Sequence, residues 1–172
     1  DVLIPSGNPT VQLLLAPLLY VTGAASNAVV TIADDDVLAN WAYRIPVTFR
    51  GYTQNETLTN FPGLVVFTRA LTNFYEQVVA NNGYELRFAN SNNTQMLPYE
   101  VEKWTTNTNS YVWVQVPALP GAGTGSILAK WGTDSAQLPC TTNGATWDAS
   151  YLGVWHLAAT NGVLSASDST TN

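Results

Sequence analysis

Cysteine is almost absent from this chain, since Cys140 is the only one among 172 residues. A single cysteine excludes an intrachain disulfide and a zinc site built from several thiolates. His156 is the only histidine, so a transition-metal site made of imidazole ligands is not expected either. The stability of the fold must therefore come from packing.

Charge is also scarce. Charged residues make up 10% of the chain, against about 25% in an average soluble domain. The net charge is −6 and the sequence pI is near 4.4. Phosphate binding needs clustered Lys and Arg, and here the six basic residues are scattered, so nucleic acid is excluded as a partner. They are Arg44, Arg50, Arg69, Arg87, Lys103 and Lys130.

No apolar run is long enough to cross a bilayer. The longest, residues 11–21, contains Gln12 and is broken by Pro17, so no membrane-spanning segment is predicted. The chain has no Met at its start and no secretory signal with a basic beginning and a small-residue cleavage site. We therefore expect a mature or excised piece, and the missing signal does not argue against secretion.

Alternation with a period of two is the strongest pattern present, and it indicates strands in residues 97–104 and 110–120. Glu100, Glu102 and Trp104 are expected to share one strand face. Residues 105–109, TTNTN, are typical of a turn, so the two stretches predict a β-hairpin. In the second stretch, Val112, Val114 and Val116 are expected to oppose Tyr111, Trp113 and Gln115.

The same signals recur along the chain and predict an all-β fold, an antiparallel β-sandwich of jelly-roll type. The only helix candidate, residues 70–80, is expected to form a single turn at best because of its β-branched residues. Further strands are predicted at Val11–Leu15, Leu18–Val21, Ala28–Ile32, Tyr43–Arg50, Gly63–Thr68, Glu85–Ala89 and Ser126–Trp131.

Linked motifs give the chain a family resemblance. They are WAYRIPVTF (41–49), LTNFPGLVVF (58–67), GYELRF (83–88), LPYEVEKW (97–104), SYVWVQVPAL (110–119), ILAKWG (127–132) and TTNGATWDASYLGVWHL (141–157). Over about residues 40–157 the chain resembles the bacterial domain of unknown function 2341 family. The residues before it resemble the end of a Calx-beta module, and those after it resemble the start of a laminin-G or concanavalin A-like lectin/glucanase domain.

The resemblance implies three parts: residues 1–36 as the end of a Calx-beta-like module, 37–142 as the β-sandwich, and 143–172 as a linker and the start of the next domain. It also implies a modular protein that is secreted or located at the cell surface. The expected partners are neighbouring β-domains of the same chain, other copies in a fibre, or surface glycans. Because the family is uncharacterised, it implies no reaction.

Glu100 and Glu102 are the strongest candidates for catalysis. Strand geometry places residues i and i+2 about 6.5–7 Å apart on one face, and paired carboxylates at such spacing are the machinery of glycosidases. The alternative is that the two carboxylates occupy a solvated sheet face or pair with Arg44, Arg87 or Lys103. No second acidic strand faces them in the sequence, so the alternative is favoured.

His156 is the only residue able to serve as the base of a Ser-His-Asp triad, with Asp148 or Asp168 to orient it. No G-x-S-x-G motif precedes it, and the surrounding residues alternate like a strand. A half-buried structural histidine is therefore expected.

Two further sets of residues are candidates for binding sites, one for calcium and one for sugars. Asp34, Asp35 and Asp36 offer the hard oxygen ligands that calcium prefers, although a solvated linker with Asx turns explains the same residues. Most of the tryptophans are expected in the core, while Trp147 and Tyr151 lie in a turn-rich segment and are expected to form an exposed pair that stacks on sugar rings.

The sequence thus favours a non-enzymatic module that acts in adhesion, glycan binding or assembly of an extracellular fibre. The alternative is a carbohydrate-active hydrolase module that uses Glu100 and Glu102.

Overall fold

The computed structural model describes residues 10–14, 27–31, 41–71, 73–78, 83–133 and 143–170. Among these residues, no helix has the length and apolar character needed to cross a membrane. The elements are β1 (Thr10–Leu14), β2 (Asn27–Thr31), β3 (Tyr43–Phe49), β4 (Leu58–Phe67), α1 (Phe74–Gln77), β5 (Arg87–Asn90), β6 (Tyr99–Lys103), β7 (Ser110–Leu119), β8 (Gly125–Trp131), β9 (Ala159–Thr160) and β10 (Val163–Leu164).

Two three-stranded antiparallel sheets pack face to face, with strand orders β3-β8-β5 and β4-β7-β6. The antiparallel pairs β1-β2 and β9-β10 form separate two-stranded sheets. The predicted all-β sandwich is confirmed, and α1 is the single short turn expected within residues 70–80. Of the strands predicted in the first 36 residues, β1 and β2 are present, while Leu18–Val21 lies outside the described residues.

The core lies between the two sheets and follows the period-two pattern of β7. Val112, Val114 and Val116 are at most 1% exposed and pack in one cluster with Phe88 and Ile127 of the opposing sheet. Each fully buried valine stabilises the fold by about 1.5–3 kcal/mol relative to an exposed one. The outward residues of β7 alternate with them and are half-buried.

A β-bulge near the end of β6 changes which side chains face the core. Val101 pairs with Val112, but the next partner of β7, Tyr111, pairs with Lys103, so β6 contains one extra residue and its alternation shifts. The expectation that Trp104 shares the face of Glu100 is therefore wrong. Its ring packs against the core, with its centroid 6.1 Å from that of Phe74.

Proline occurs in two of the four strands that end the two sheets. Among the described strands, β3, β5, β4 and β6 each pair on one side only within their sheet; β3 contains Pro46 and β4 contains Pro62, whereas β5 and β6 contain no proline. Proline lacks the N–H that an added strand would need, and it is a recurring means by which edge strands resist pairing with other chains.

Candidate functional site

The two glutamates lie on the outer face of the β4-β7-β6 sheet. Glu100 is paired with Trp113 of β7, and Tyr99 and Val101 on the opposite face of β6 belong to or pack against the core. Residues 143–170, here called the covering segment, place side chains over this face. The strand position of Glu100 and Glu102 therefore follows from the β6 pattern, and their partners come from elsewhere in the chain.

Glu100 is held by the covering segment at both carboxylate oxygens. Trp147 Nε1 donates to Glu100 Oε2 at 2.7 Å, and Ser169 Oγ donates to Glu100 Oε1 at 2.7 Å. The Glu100 side chain is 21% exposed. Hydrogen bonds to a carboxylate are stronger than those between neutral groups, so these contacts fasten the segment to β6.

Glu102 is held chiefly from its own sheet. Trp113 Nε1 of β7 donates to Glu102 Oε2 at 2.6 Å, and the Glu102 side chain is 36% exposed. Water therefore competes for this carboxylate more than for that of Glu100.

His156 lies between the two carboxylates. Its Nε2 is 3.3 Å from Glu100 Oε1, and its Nδ1 is 3.7 Å from Glu102 Oε2. The shorter distance does not correspond to a well-directed hydrogen bond, because Nε2 is buried and has no hydrogen-bond partner. The contact is thus an ion pair only when the imidazole is protonated. We refer to Glu100, Glu102, Trp113, Trp147, His156 and Ser169 together as the carboxylate cluster.

Aromatic rings complete the carboxylate cluster. The centroid of Trp147 lies 5.5 Å from that of Trp113, 5.5 Å from that of Tyr151 and 5.9 Å from that of His156. Trp147 is only 7% exposed, and Tyr151 is half-buried. The expectation that these two rings form an exposed pair is wrong, because the covering segment folds back onto the sheet. The most exposed tryptophan among the described residues is Trp155, at 54%.

Hydrogen bonds within the covering segment hold distant parts of it together. The Val154 N–H donates to Asp168 Oδ1 at 2.9 Å, and the Ser169 N–H donates to the Val154 carbonyl at 2.8 Å. Asp168 also accepts from Thr170. The Val154 amide, followed by Thr170, lowers the pKa of Asp168 below its ordinary value. These bonds bring residues 154–156 and 168–170 together above β6.

A second acidic turn lies nearer the start of the segment. Ser150 donates to Asp148 through both its hydroxyl and its backbone N–H, which lowers the pKa of Asp148. Burial, followed by the charge of Asp148, raises the pKa of Tyr151. From the sheet, Gln115 Nε2 donates to the Ala145 carbonyl at 3.1 Å. This contact fixes the entry of the segment onto the outer face.

The arrangement does not form a nucleophilic triad in the described residues. The hydrogen bonds of Asp168 and Asp148 go to neighbouring residues of the covering segment, and Ser169 donates to Glu100 rather than to His156. The half-buried position expected for His156 is confirmed by its 19% exposure. Among the described residues, the glutamates contact one histidine, two indoles and one serine hydroxyl in place of the basic residues considered above.

The calcium site stays a prediction, because Asp34, Asp35 and Asp36 lie outside the described residues, as does Cys140. Within the part of the chain that is described, no group of three or more His, Cys, Asp or Glu side chains is arranged to hold a metal ion.

Four members of the carboxylate cluster, Trp113, Trp147, His156 and Ser169, were not predicted as partners of the glutamates. Trp113 could have been found, because it lies on the outward face of β7 directly across the hairpin from Glu100. Ser169 and His156 carry no local signal, since Ser169 lies 69 positions beyond Glu100.

Comparison with known proteins gives one match. Residues 82–147 match the model of a family described as Domain of unknown function (DUF2341). This range contains Glu100, Glu102, Trp113 and Trp147, and it ends before His156. No curated protein and no solved structure shows a significant match to the chain. Over residues 82–147, the chain is thus similar to the Domain of unknown function (DUF2341) family.

Proposed function

We propose that this chain is a non-enzymatic β-sandwich module of an exported modular protein, and that its carboxylate cluster fastens the covering segment to the sandwich. One observation carries the proposal. Both oxygens of Glu100 accept hydrogen bonds from the covering segment, through Trp147 and Ser169. Glu100 then serves as the main attachment point between the sandwich and the residues that follow it, and Glu102 contributes through its proximity to His156.

The engagement of both carboxylates argues against hydrolysis. A glycosidase needs two carboxyl groups that flank the scissile bond, one to protonate the leaving group and one to act as nucleophile or base. Here both side chains come from neighbouring positions of a single strand, and indole N–H groups at 2.6 and 2.7 Å already occupy them. A sugar would have to displace Trp113 and Trp147 to reach them.

The setting that we propose is a secreted or cell-surface protein that acts in adhesion, glycan binding or assembly of a fibre. The low charge and the resemblance to exported modular proteins support it. The prolines at the free edges of β3 and β4 favour an arrangement in which modules follow one another along one chain over strand exchange at these edges. Calcium at Asp34–Asp36 remains a proposal within this setting.

The hydrolase is the second candidate. It is favoured by the proximity of two carboxylates and one imidazole on a sheet face, since these are groups able to exchange protons with a substrate. The two candidates predict opposite results when Glu100 and Glu102 lose their charge.

The test uses the double variant Glu100→Gln/Glu102→Gln, in which each amide oxygen can still accept from an indole N–H. Wild type and variant are incubated with soluble and insoluble β-glucans, xylan and chitin, and released reducing ends are measured. We expect both proteins to match a blank without protein. If the wild type releases reducing ends and the variant does not, the proposal is overturned in favour of the hydrolase.

A further inference from the structure

We propose that His156 makes the attachment of the covering segment dependent on pH, so that the segment is held more firmly when the imidazole is protonated. The inference rests on the fastening role proposed above and adds a regulation to it. It follows from where the two ring nitrogens lie.

Each ring nitrogen of His156 lies close to a different carboxylate. Nε2 is 3.3 Å from Glu100 Oε1, and Nδ1 is 3.7 Å from Glu102 Oε2. A carboxylate only accepts hydrogen bonds, and a neutral imidazole has one N–H donor and one lone pair. In the neutral ring, one lone pair therefore lies near a negative oxygen. The imidazolium has N–H groups at both nitrogens and attracts both carboxylates.

Other ionisable groups lie on the elements next to His156. From β6 come the two glutamates and Lys103. From residues 143–151 come Asp148, whose pKa is lowered, and Tyr151, whose pKa is raised. From residues 168–170 comes Asp168, whose pKa is lowered. Histidine is the side chain whose charge ordinarily changes between pH 5 and 8, so His156 is the group that can act as the switch.

The switch modulates the attachment and does not abolish it. The indole N–H groups of Trp147 and Trp113 keep their hydrogen bonds to the carboxylates whatever the charge on His156. The two ion pairs are partly exposed, which limits their contribution. We therefore expect local opening of the segment to rise about five- to tenfold, and not by orders of magnitude, when the imidazole loses its proton.

The experiment measures amide hydrogen exchange of the whole chain at pH 5.5 and pH 8.0, corrected for the intrinsic pH dependence of exchange. The reporters are the Val154 and Ser169 amides, which are bonded within the covering segment. Val114 of β7 is the reference for global unfolding. Since His156 is the only histidine, its ring proton signals in NMR report its charge directly.

Two variants test the cause. His156→Gln carries no charge at either pH, and Glu100→Gln/Glu102→Gln keeps acceptors for the indoles while removing the negative charge. We expect the wild type to open more at pH 8.0 and both variants to lose this difference.

The outcomes separate the two proposals. Protection of Val154 and Ser169 that is equal at both pH values in the wild type overturns the switch and leaves the fastening intact. Absence of protection at either pH overturns the fastening, and the switch with it. A parallel change at Val114 means global unfolding and also overturns the switch.

Discussion

Replacing Trp147 by Phe tests whether its hydrogen bond to Glu100 holds the covering segment on the sandwich, because the change removes the indole donor and keeps an aromatic ring. A hydrogen bond to a charged group contributes about 1.5–3 kcal/mol. Because Glu100 is 21% exposed, water replaces part of this hydrogen-bond energy. Removing the bond should therefore cost about 1–2 kcal/mol of unfolding free energy. The smaller ring also leaves space among Trp113, Tyr151 and His156, which costs about 1 kcal/mol. The expected loss of unfolding free energy is thus about 2–3 kcal/mol.

The assay is urea unfolding followed by far-UV circular dichroism and tryptophan fluorescence. Trp113→Phe is the matched control, since it makes the same chemical change at an indole that donates to the more exposed Glu102. It should cost less than Trp147→Phe, about 1–2 kcal/mol, because Glu102 is more exposed and the bond between the covering segment and β6 stays in place.

A loss below about 0.5 kcal/mol for Trp147→Phe, which is the range of ordinary surface substitutions, would refute this role of the indole. An equal loss for Trp113→Phe would refute it as well. In either case the indole of Trp147 would not be a significant attachment between the segment and the sandwich.

Three further predictions concern packing and acid stability. Gly63→Ala should destabilise the sandwich by about 1–3 kcal/mol in urea unfolding, because the added Cβ would lie 2.7 Å from Phe49 Cε1; an unchanged midpoint would contradict this. Tyr99→Phe should cost about 1–3 kcal/mol, since its buried hydroxyl donates to the Leu86 carbonyl and accepts from Arg87 Nη1; thermal unfolding at the wild-type temperature would count against it. The pKa of Asp168 is lowered in the folded chain, so its stabilisation is present at neutral pH and is lost as the pH falls below the ordinary value of 3.8. Protease cleavage within residues 152–170 should therefore increase below that pH, and Asp168→Ala should increase it already at neutral pH; equal cleavage of variant and wild type at neutral pH would refute the role of Asp168.

The hairpin and its buried valines could be predicted because they depend on local alternation. Val112, Val114 and Val116 all face the core, as a strict period of two requires. The same rule failed two residues beyond Glu102, because the bulge adds a residue to β6 and turns Trp104 inward. Nothing in the local pattern marks such an insertion.

The carboxylate cluster could be predicted only in part. The two glutamates were expected on one outer face, since both belong to the same short strand. Their partners depend on how the covering segment returns to the sheet, and Trp147 lies 47 positions from the residue it binds. Turn-rich composition indicated exposure for Trp147, whereas packing against Trp113 and Tyr151 buries it.

Attachment of the covering segment through Glu100 and Glu102 can be measured by hydrogen exchange of Glu100→Ala/Glu102→Ala, compared with the wild type at one pH. We expect the Val154 and Ser169 amides to exchange at least about tenfold faster in the variant, which corresponds to about 1.4 kcal/mol of lost attachment, while the amides of β7 and β8 are unchanged. Equal protection of Val154 and Ser169 in variant and wild type would show that the two carboxylates do not attach the segment.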